Sequence, residues 1–161
     1  MSGTIVMGIG NRLGGDDAAG TIVADMLNQK RQRLDAPLQG DITIIDAGTA
    51  PESYTSVIRQ RRPDLLILVD AADMGLPSGA SRTITPDRIS TVSFSTHHMP
   101  LSMFVSYVTE FCGKVLLVGI QPERTETGSG ISKAVRTSVG RLVDAILQGQ
   151  ISEIPVLEKR G

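Results

Sequence analysis

Residues 4–8 read TIVMG, and this short run is the first of four apolar segments that decide the fold. The other three are Ile42–Asp46, Leu65–Asp70 and Val115–Ile120, all nearly continuous in Val, Ile and Leu. Runs of this length and composition are typical of strands buried on both faces of a parallel sheet. Ser81–Ile84 is a weaker candidate for a fifth strand.

Helical patterns separate these strands. Apolar residues recur at spacings of three and four in four segments, namely Ala19–Leu27, Tyr54–Ile58, Leu101–Phe111 and Ile131–Ile146. Pro51 and Pro100 suit helix starts, and Gly113 suits a helix stop. The alternation of strands and helices predicts a three-layer α/β/α fold with a mostly parallel, five-stranded twisted sheet, one strand of which is antiparallel.

Length and composition predict one soluble domain. The 161 residues match one domain on a prior of about 150 residues per domain, so we assign residues 1–148 to an α/β domain and residues 149–161 to a loosely attached tail. Net charge is −1 and few residues are aromatic, which argues against nucleic-acid binding. The single cysteine, Cys112, and the lack of a signal-like or membrane-spanning stretch predict a cytoplasmic protein without membrane insertion.

Polar residues collect where the strands end or the next helices begin. They are Asn11, Asp16, Asp17, Asp46, Asp70, His97 and His98. Because the carboxyl ends of parallel strands share one edge of the sheet, we expect these residues to lie along one rim. Taken singly, each has an ordinary alternative: a helix cap, a turn residue or a solvated histidine. Together, two carboxylates and an imidazole suit a divalent ion such as Ni²⁺ or Zn²⁺ with a ligand position left open.

Other chemistries fit the sequence less well. The run from Gly8 to Leu13 begins like a dinucleotide-binding fingerprint, but Leu13 stands where the third glycine belongs. Asp16 and Asp17 would also place two negative charges where a pyrophosphate should bind. Cys112 falls in an apolar helical stripe, so it is a poor nucleophile candidate. The run Asp46-Ala-Gly-Thr is similar to an aspartic-protease loop, but that mechanism needs two facing copies and the sequence has one.

Five motifs in order resemble one family. They are residues 8–17 (GIGNRLGGDD), 46–52 (DAGTAPE), 69–75 (VDAADMG), 95–101 (STHHMPL) and 118–123 (VGIQPE). They resemble the [NiFe]-hydrogenase maturation endopeptidases, and the DMG and H-x-MPL details are similar to the hydrogenase-3 branch that serves formate-hydrogenlyase-type enzymes. The motifs span roughly residues 4–147.

The resemblance implies a function and a site. Members of this family remove a C-terminal extension from the precursor of a [NiFe]-hydrogenase large subunit after nickel insertion. By resemblance, the nickel-contacting residues are Asp17, Asp70 and His97, while Asp46 is a further acidic residue near the cleft. The nickel is expected to arrive on the substrate, with Zn²⁺ or Cd²⁺ as possible substitutes in an empty site. Asp17 and, less strongly, Asp46 are the candidate catalytic acids; His98 receives no role.

Two other functions stay open on the sequence. The same three ligands could serve a chaperone that binds the precursor without cleaving it, and a nucleotide-binding α/β domain is a weaker third possibility. The stretch Arg124–Gly130 is rich in Gly, Ser and Thr and departs from the family pattern. We read Asp73 as a turn residue in preference to a partner of the site.

Overall fold

The computed structural model describes residues 3–33, 41–94 and 99–158, and these contain six strands and four α-helices. The strands are β1 Thr4–Ile9, β2 Ile42–Gly48, β3 Leu65–Asp73, β4 Ser81–Ile84, β5 Ser93–Phe94 and β6 Lys114–Ile120. The helices are α1 Ala19–Arg33, α2 Thr55–Arg61, α3 Leu101–Val108 and α4 Lys133–Leu147. Each predicted strand and each predicted helix is present.

The strands form one mixed sheet in the order β2-β1-β3-β6-β4. Neighbouring pairs are parallel from β2 to β6, and β4 runs antiparallel to β6. The α/β fold and its antiparallel strand are therefore confirmed. The sixth strand, β5, adds a two-residue antiparallel pairing to the end of β3, a segment too short to leave a periodic signal in the sequence.

The sheet is buried on both faces, as its apolar strands predict. In β3, Leu66 and Leu68 pack into the cluster that contains α2 and α3, whereas Ile67 and Val69 pack into the cluster that contains α1 and α4. This alternation is the two-residue period of a strand. Cys112 lies in the first cluster, where burial raises the pKa of its thiol to about 11. At neutral pH the thiol is protonated, which fits the expected structural role.

Two glycines fix where α1 meets the sheet. A Cβ on Gly20 would lie 2.3 Å from the carbonyl oxygens of both Ile9 and Val69, and a Cβ on Gly8 would lie 2.1 Å from the Gly20 carbonyl oxygen. Only glycine permits this approach. The first turn of α1 therefore sits directly against the end of β1 and the middle of β3.

The segment after α4 packs against the domain, so the expectation of a loose tail is wrong for residues 149–158. Thr83 of β4 donates its N–H to the Pro155 carbonyl at 2.9 Å and accepts from the Leu157 N–H at 2.8 Å. Leu157 is buried in the core. The exposed edge of β4 supplies the hydrogen bonds and the core supplies an apolar contact, which the sequence of the tail alone does not reveal.

Within the described residues, no helix has the length and apolar character needed to cross a bilayer.

Candidate active site

The strand register brings Asp46 and Asp70 to the same edge of the sheet. Gly8 of β1 pairs with Asp46 on one side and with Val69 on the other, and Asp70 follows Val69 directly. Two strand spacings separate β2 from β3, which is about 10 Å. The expectation that these two carboxylates share the carboxyl edge is confirmed, but β3 continues to Asp73, so Asp70 lies within the strand and not at its end as predicted.

Asp46 and Asp70 nevertheless lie on opposite faces of that edge. Leu68 packs toward α2 and α3, so the alternation of β3 places Asp70 on that face, where it is fully buried. Ile45 packs toward the same helices, which places Asp46 on the face of α1. The bend that follows Gly8, where the register to β2 shifts, lies between the two acids.

Asp17 is held in a short 3-10 turn, Gly15–Ala18, that contacts β3. The Asn11 N–H donates to the Asp17 carbonyl at 3.0 Å, and the Asp17 N–H donates to the Gly14 carbonyl at 3.0 Å. A methyl group on Gly14 would lie 3.3 Å from Asp17 Oδ2, so this glycine leaves room for the carboxylate. The loop thus fixes a half-buried carboxylate beside the end of the strand that carries Asp70.

Asp16, the neighbour of Asp17, is fully buried and accepts four hydrogen bonds. Its Oδ1 accepts from the Ser132 N–H at 2.7 Å, and its Oδ2 accepts from the Ser132 hydroxyl at 2.8 Å and from the N–H groups of Glu123 and Arg124 at 2.8 and 3.1 Å. Burial alone would raise the pKa of Asp16, but these donors outweigh it and the pKa lies below its ordinary value.

These bonds join the loop after β1 to the loop after β6. The Asp16 N–H also donates to the Arg124 carbonyl at 2.8 Å, so side chain and backbone hold the same partner. Ser132 is the N-cap of α4 and accepts from the Val135 N–H at 3.4 Å. Asp16 therefore anchors the cap of another helix, a role that the sequence reasoning missed.

Arg12 is a second residue that sequence reasoning missed. Its guanidinium binds both carboxylate oxygens of Asp25 on α1, at 2.7 and 2.9 Å, and Asp46 Oδ2 at 2.7 Å. The two carboxylates raise the pKa of Arg12 further above its ordinary value, and Arg12 lowers the pKa of Asp25. Asp46 Oδ1 accepts from the Gly48 N–H at 3.1 Å, so both of its oxygens are engaged.

The neighbouring turn after β3 is organised by Gln121. This buried side chain accepts through Oε1 from the Met74 N–H at 2.7 Å and donates through Nε2 to Asp73 Oδ1 at 3.1 Å. Asp73 Oδ1 also accepts from the Gly75 N–H at 3.2 Å. The interpretation of Asp73 as a turn residue is confirmed, and Gln121 explains how the turn is attached to β6.

His97 and His98 lie outside the described residues, so the Asp17–Asp70–His97 triad stays a prediction. Across residues 3–33, 41–94 and 99–158, no group of three His, Cys, Asp or Glu side chains is placed to hold a metal ion. The described part of the proposed site is thus the pair of carboxylates, Asp17 and Asp70.

The fold and the edge define a class: an α/β domain with carboxylates at the carboxyl end of its parallel strands. A family model described as hydrogenase maturation protease matches residues 23–149. The hydrogenase 3 maturation protease of Escherichia coli K12 is 38% identical over 120 residues, covering 74% of this chain and 72% of that protein. A putative hydrogenase maturation protease of Methanocaldococcus jannaschii is 32% identical over 149 residues, covering 89% and 86%.

Solved structures agree. A crystal structure of a hydrogenase 3 maturation protease has a TM-score of 0.82 at 32% identity and covers 98% of each chain. The [NiFe]-hydrogenase maturation protease HycI from Thermococcus kodakarensis has a TM-score of 0.78 at 32% identity and covers 92% of each chain. The chain belongs to the hydrogenase maturation protease family and resembles its hydrogenase-3 branch. The resemblance drawn from the five motifs is confirmed.

Proposed function

We propose that this protease removes the C-terminal extension of the precursor of a [NiFe]-hydrogenase large subunit after nickel has been inserted. The observation that carries the proposal is the packing of the Asp17 turn against β3, the strand that carries Asp70. Family membership supplies the reaction class, and this packing supplies two carboxylates, one from the Gly15–Ala18 turn and one from β3. The reduced state of the buried Cys112 is compatible with action in the cytoplasm.

The nickel ion is part of the substrate in this proposal. Asp17, Asp70 and His97 offer two oxygens and one nitrogen, which leaves coordination positions for groups of the precursor that already hold the nickel. Zn²⁺ or Cd²⁺ can take the same ligands in the absence of precursor. Because the three ligands gain affinity only from a loaded precursor, nickel acts as a checkpoint that couples cleavage to correct loading.

Peptide hydrolysis needs a water molecule that loses a proton. Either the substrate's nickel would lower the pKa of that water, or a carboxylate would accept its proton, and Asp46 is the carboxylate candidate. Its two oxygens each accept one hydrogen bond, from Arg12 and from Gly48, so each oxygen keeps a second lone pair for a proton. Asp17 is the other candidate acid, since its turn packs against β3.

The test is incubation of the purified protein with purified precursor, with and without nickel, followed by mass measurement of the precursor. We expect loss of a C-terminal peptide only from the nickel-loaded precursor. Nickel-dependent binding with an unchanged precursor mass would identify a chaperone and overturn the protease proposal. Cleavage at the same rate without nickel would overturn the checkpoint.

A further inference from the structure

Leu13 is the most exposed large hydrophobic side chain among the described residues, with 68% of its surface accessible. The others are Met103, Val156 and Tyr107, at 59%, 51% and 41%. A single exposed leucine is ordinary on a protein surface. Its place in the fold makes this one informative, because Leu13 belongs to the loop that ends in Asp17.

The backbone of Leu13 is held on both sides. Its N–H donates to Asn11 Oδ1 at 3.0 Å, and its carbonyl accepts from the Gly128 N–H at 2.9 Å. A leucine held in this way cannot turn its side chain inward by a backbone rearrangement without breaking hydrogen bonds. The side chain is therefore presented to solvent by a fixed scaffold, which reduces the entropy lost when a partner covers it.

The loop that contacts Leu13 is fixed as well. Arg124, the first residue of the loop 124–130, donates its N–H to the Asp16 carboxylate. Gly15, whose φ is +59°, lies so close to the same loop that a Cβ on it would be 2.3 Å from Ser129 Oγ. Most of this loop is exposed. We call Leu13 together with residues 124–130 the recognition surface. Its two charged residues, Arg124 and Glu126, have opposite signs, so its net charge is zero.

We propose that Leu13 is a substrate-binding residue that packs against an apolar side chain of the precursor, and this rests on the proposed function. A precursor whose nickel reaches Asp17 approaches the loop of residues 11–17, which also carries the exposed Leu13. The recognition surface has no net charge and one fixed apolar side chain, so it binds an apolar group of the precursor better than a charged group. The contact adds binding energy equally to the bound substrate and to the transition state, since Leu13 carries no reacting group.

The test compares Leu13→Ser with Val156→Ser as a matched control, using nickel-loaded precursor as the ligand. Val156 is similarly exposed but lies beside β4 in the C-terminal segment. We expect Leu13→Ser to raise the Kd and the KM for precursor about 10-fold or more, the effect of losing one buried leucine contact. The value of kcat stays unchanged, and Val156→Ser behaves as the wild type. Leu13→Met, which conserves volume, restores most of the affinity.

Each outcome decides the inference. Unchanged Kd and KM in Leu13→Ser, or a fall in kcat alone, would overturn it, because the second result would mean that Leu13 acts by positioning Asp17. Thermal denaturation verifies that Leu13→Ser folds, as expected for an exposed side chain. Wild-type protein that binds the precursor without cleaving it removes the proposed protease function yet leaves the Leu13 comparison measurable through Kd. Wild-type protein that does not bind the precursor overturns both.

Discussion

The buried junction formed by Asp16 and Ser132 differs from the open rim formed by Asp17, Asp46 and Arg12. In the junction, one carboxylate is fully buried and accepts four hydrogen bonds. In the rim, Asp46 lies in an ion pair with Arg12 whose side chains are 33% and 55% exposed. Asp17 is half-buried, although it follows Asp16 directly in the chain.

Two acids that are adjacent in the chain can therefore have different roles, one structural and one chemical. A fully buried carboxylate with all its donors in place stabilises the folded state and is not accessible to a ligand. Binding of an ion by a half-buried carboxylate on a fixed loop costs less free energy, because less of its surroundings has to be rearranged. Asp16 therefore holds the two loops together, whereas Asp17 is the acid of this pair that contacts the substrate in the proposed function.

The largest expected effect is on activity at the rim. Asp17→Asn keeps the size of the side chain but removes the negative charge, so we expect processing of nickel-loaded precursor to fall by about 100-fold or more, a loss typical of removing one group that stabilises reacting charge. The free energy of unfolding should change less than in Asp16→Asn, because Asp17 is half-buried whereas Asp16 is fully buried. Quantified product mass and urea denaturation measure the two effects. Cleavage at the wild-type rate would remove Asp17 from the site.

Asp16→Asn should reverse this pattern. An amide has only one acceptor oxygen, so in either orientation its NH₂ group faces an N–H donor, either that of Ser132 or those of residues 123 and 124. We expect a loss of about 2–4 kcal/mol in the free energy of unfolding, the range for breaking a buried, hydrogen-bonded charge. Urea denaturation measures it. A loss below about 1 kcal/mol would show that the junction does not anchor the two loops.

The same junction predicts a pH dependence. Because the folded-state pKa of Asp16 lies below its ordinary value, its contribution to stability is fully present above the unfolded pKa of about 3.9. That contribution is lost as the pH falls through the lower, folded-state pKa. Below pH 4, the wild type should therefore lose more stability than Asp16→Asn. Parallel losses in the two proteins would contradict this assignment.

A smaller effect is expected from crowding Asp17. Gly14→Ala places a methyl group 3.2 Å from Asp17 Cβ and 3.3 Å from Oδ2, so the carboxylate must shift. We expect processing to fall about 10-fold, since displacement of a reacting group by a fraction of an ångström is costly. The matched control is Gly140→Ala on α4, where an added Cβ meets nothing within 4 Å. That control should process normally and gain about 0.5–1 kcal/mol of stability.

The smallest effect is expected at the exposed ion pair. Arg12→Met removes the contacts to Asp25 and Asp46 and should cost less than about 1 kcal/mol, because surface salt bridges contribute little. The cost should shrink further at 1 M salt, where screening acts over about 3 Å. Thermal denaturation at two salt concentrations checks this. A salt-independent loss above 2 kcal/mol would mean that Arg12 is part of a buried network.

The sequence predicted the elements and the shared edge because these depend on local patterns. Continuous apolar runs marked β1, β2, β3 and β6, and their parallel order placed Asp46 and Asp70 at the same edge of the sheet. Which face each acid takes depends on the register of the strand against the two core clusters, and no local pattern records it. The sequence alone therefore did not predict on which face of the sheet Asp46 and Asp70 lie.

Distant contacts explain the other differences. Asp16 binds Ser132 across 116 positions, so nothing near Asp16 in the chain indicates its donors. Arg12 meets Asp46 across 34 positions for the same reason. The tail looked loose because its one buried apolar residue, Leu157, and its pairing with Thr83 have meaning only beside β4. Long-range pairing between polar groups was the information that the sequence pattern lacked.

The most direct test is nickel X-ray absorption spectroscopy on loaded precursor, alone and mixed with this protein. To keep the complex intact, the precursor carries a substitution that blocks cleavage. We predict that the nickel in the mixture has additional oxygen and nitrogen neighbours, and that Asp17→Asn reduces the number of these added neighbours. Identical nickel spectra with and without wild-type protein, under conditions where the two proteins bind, would contradict it.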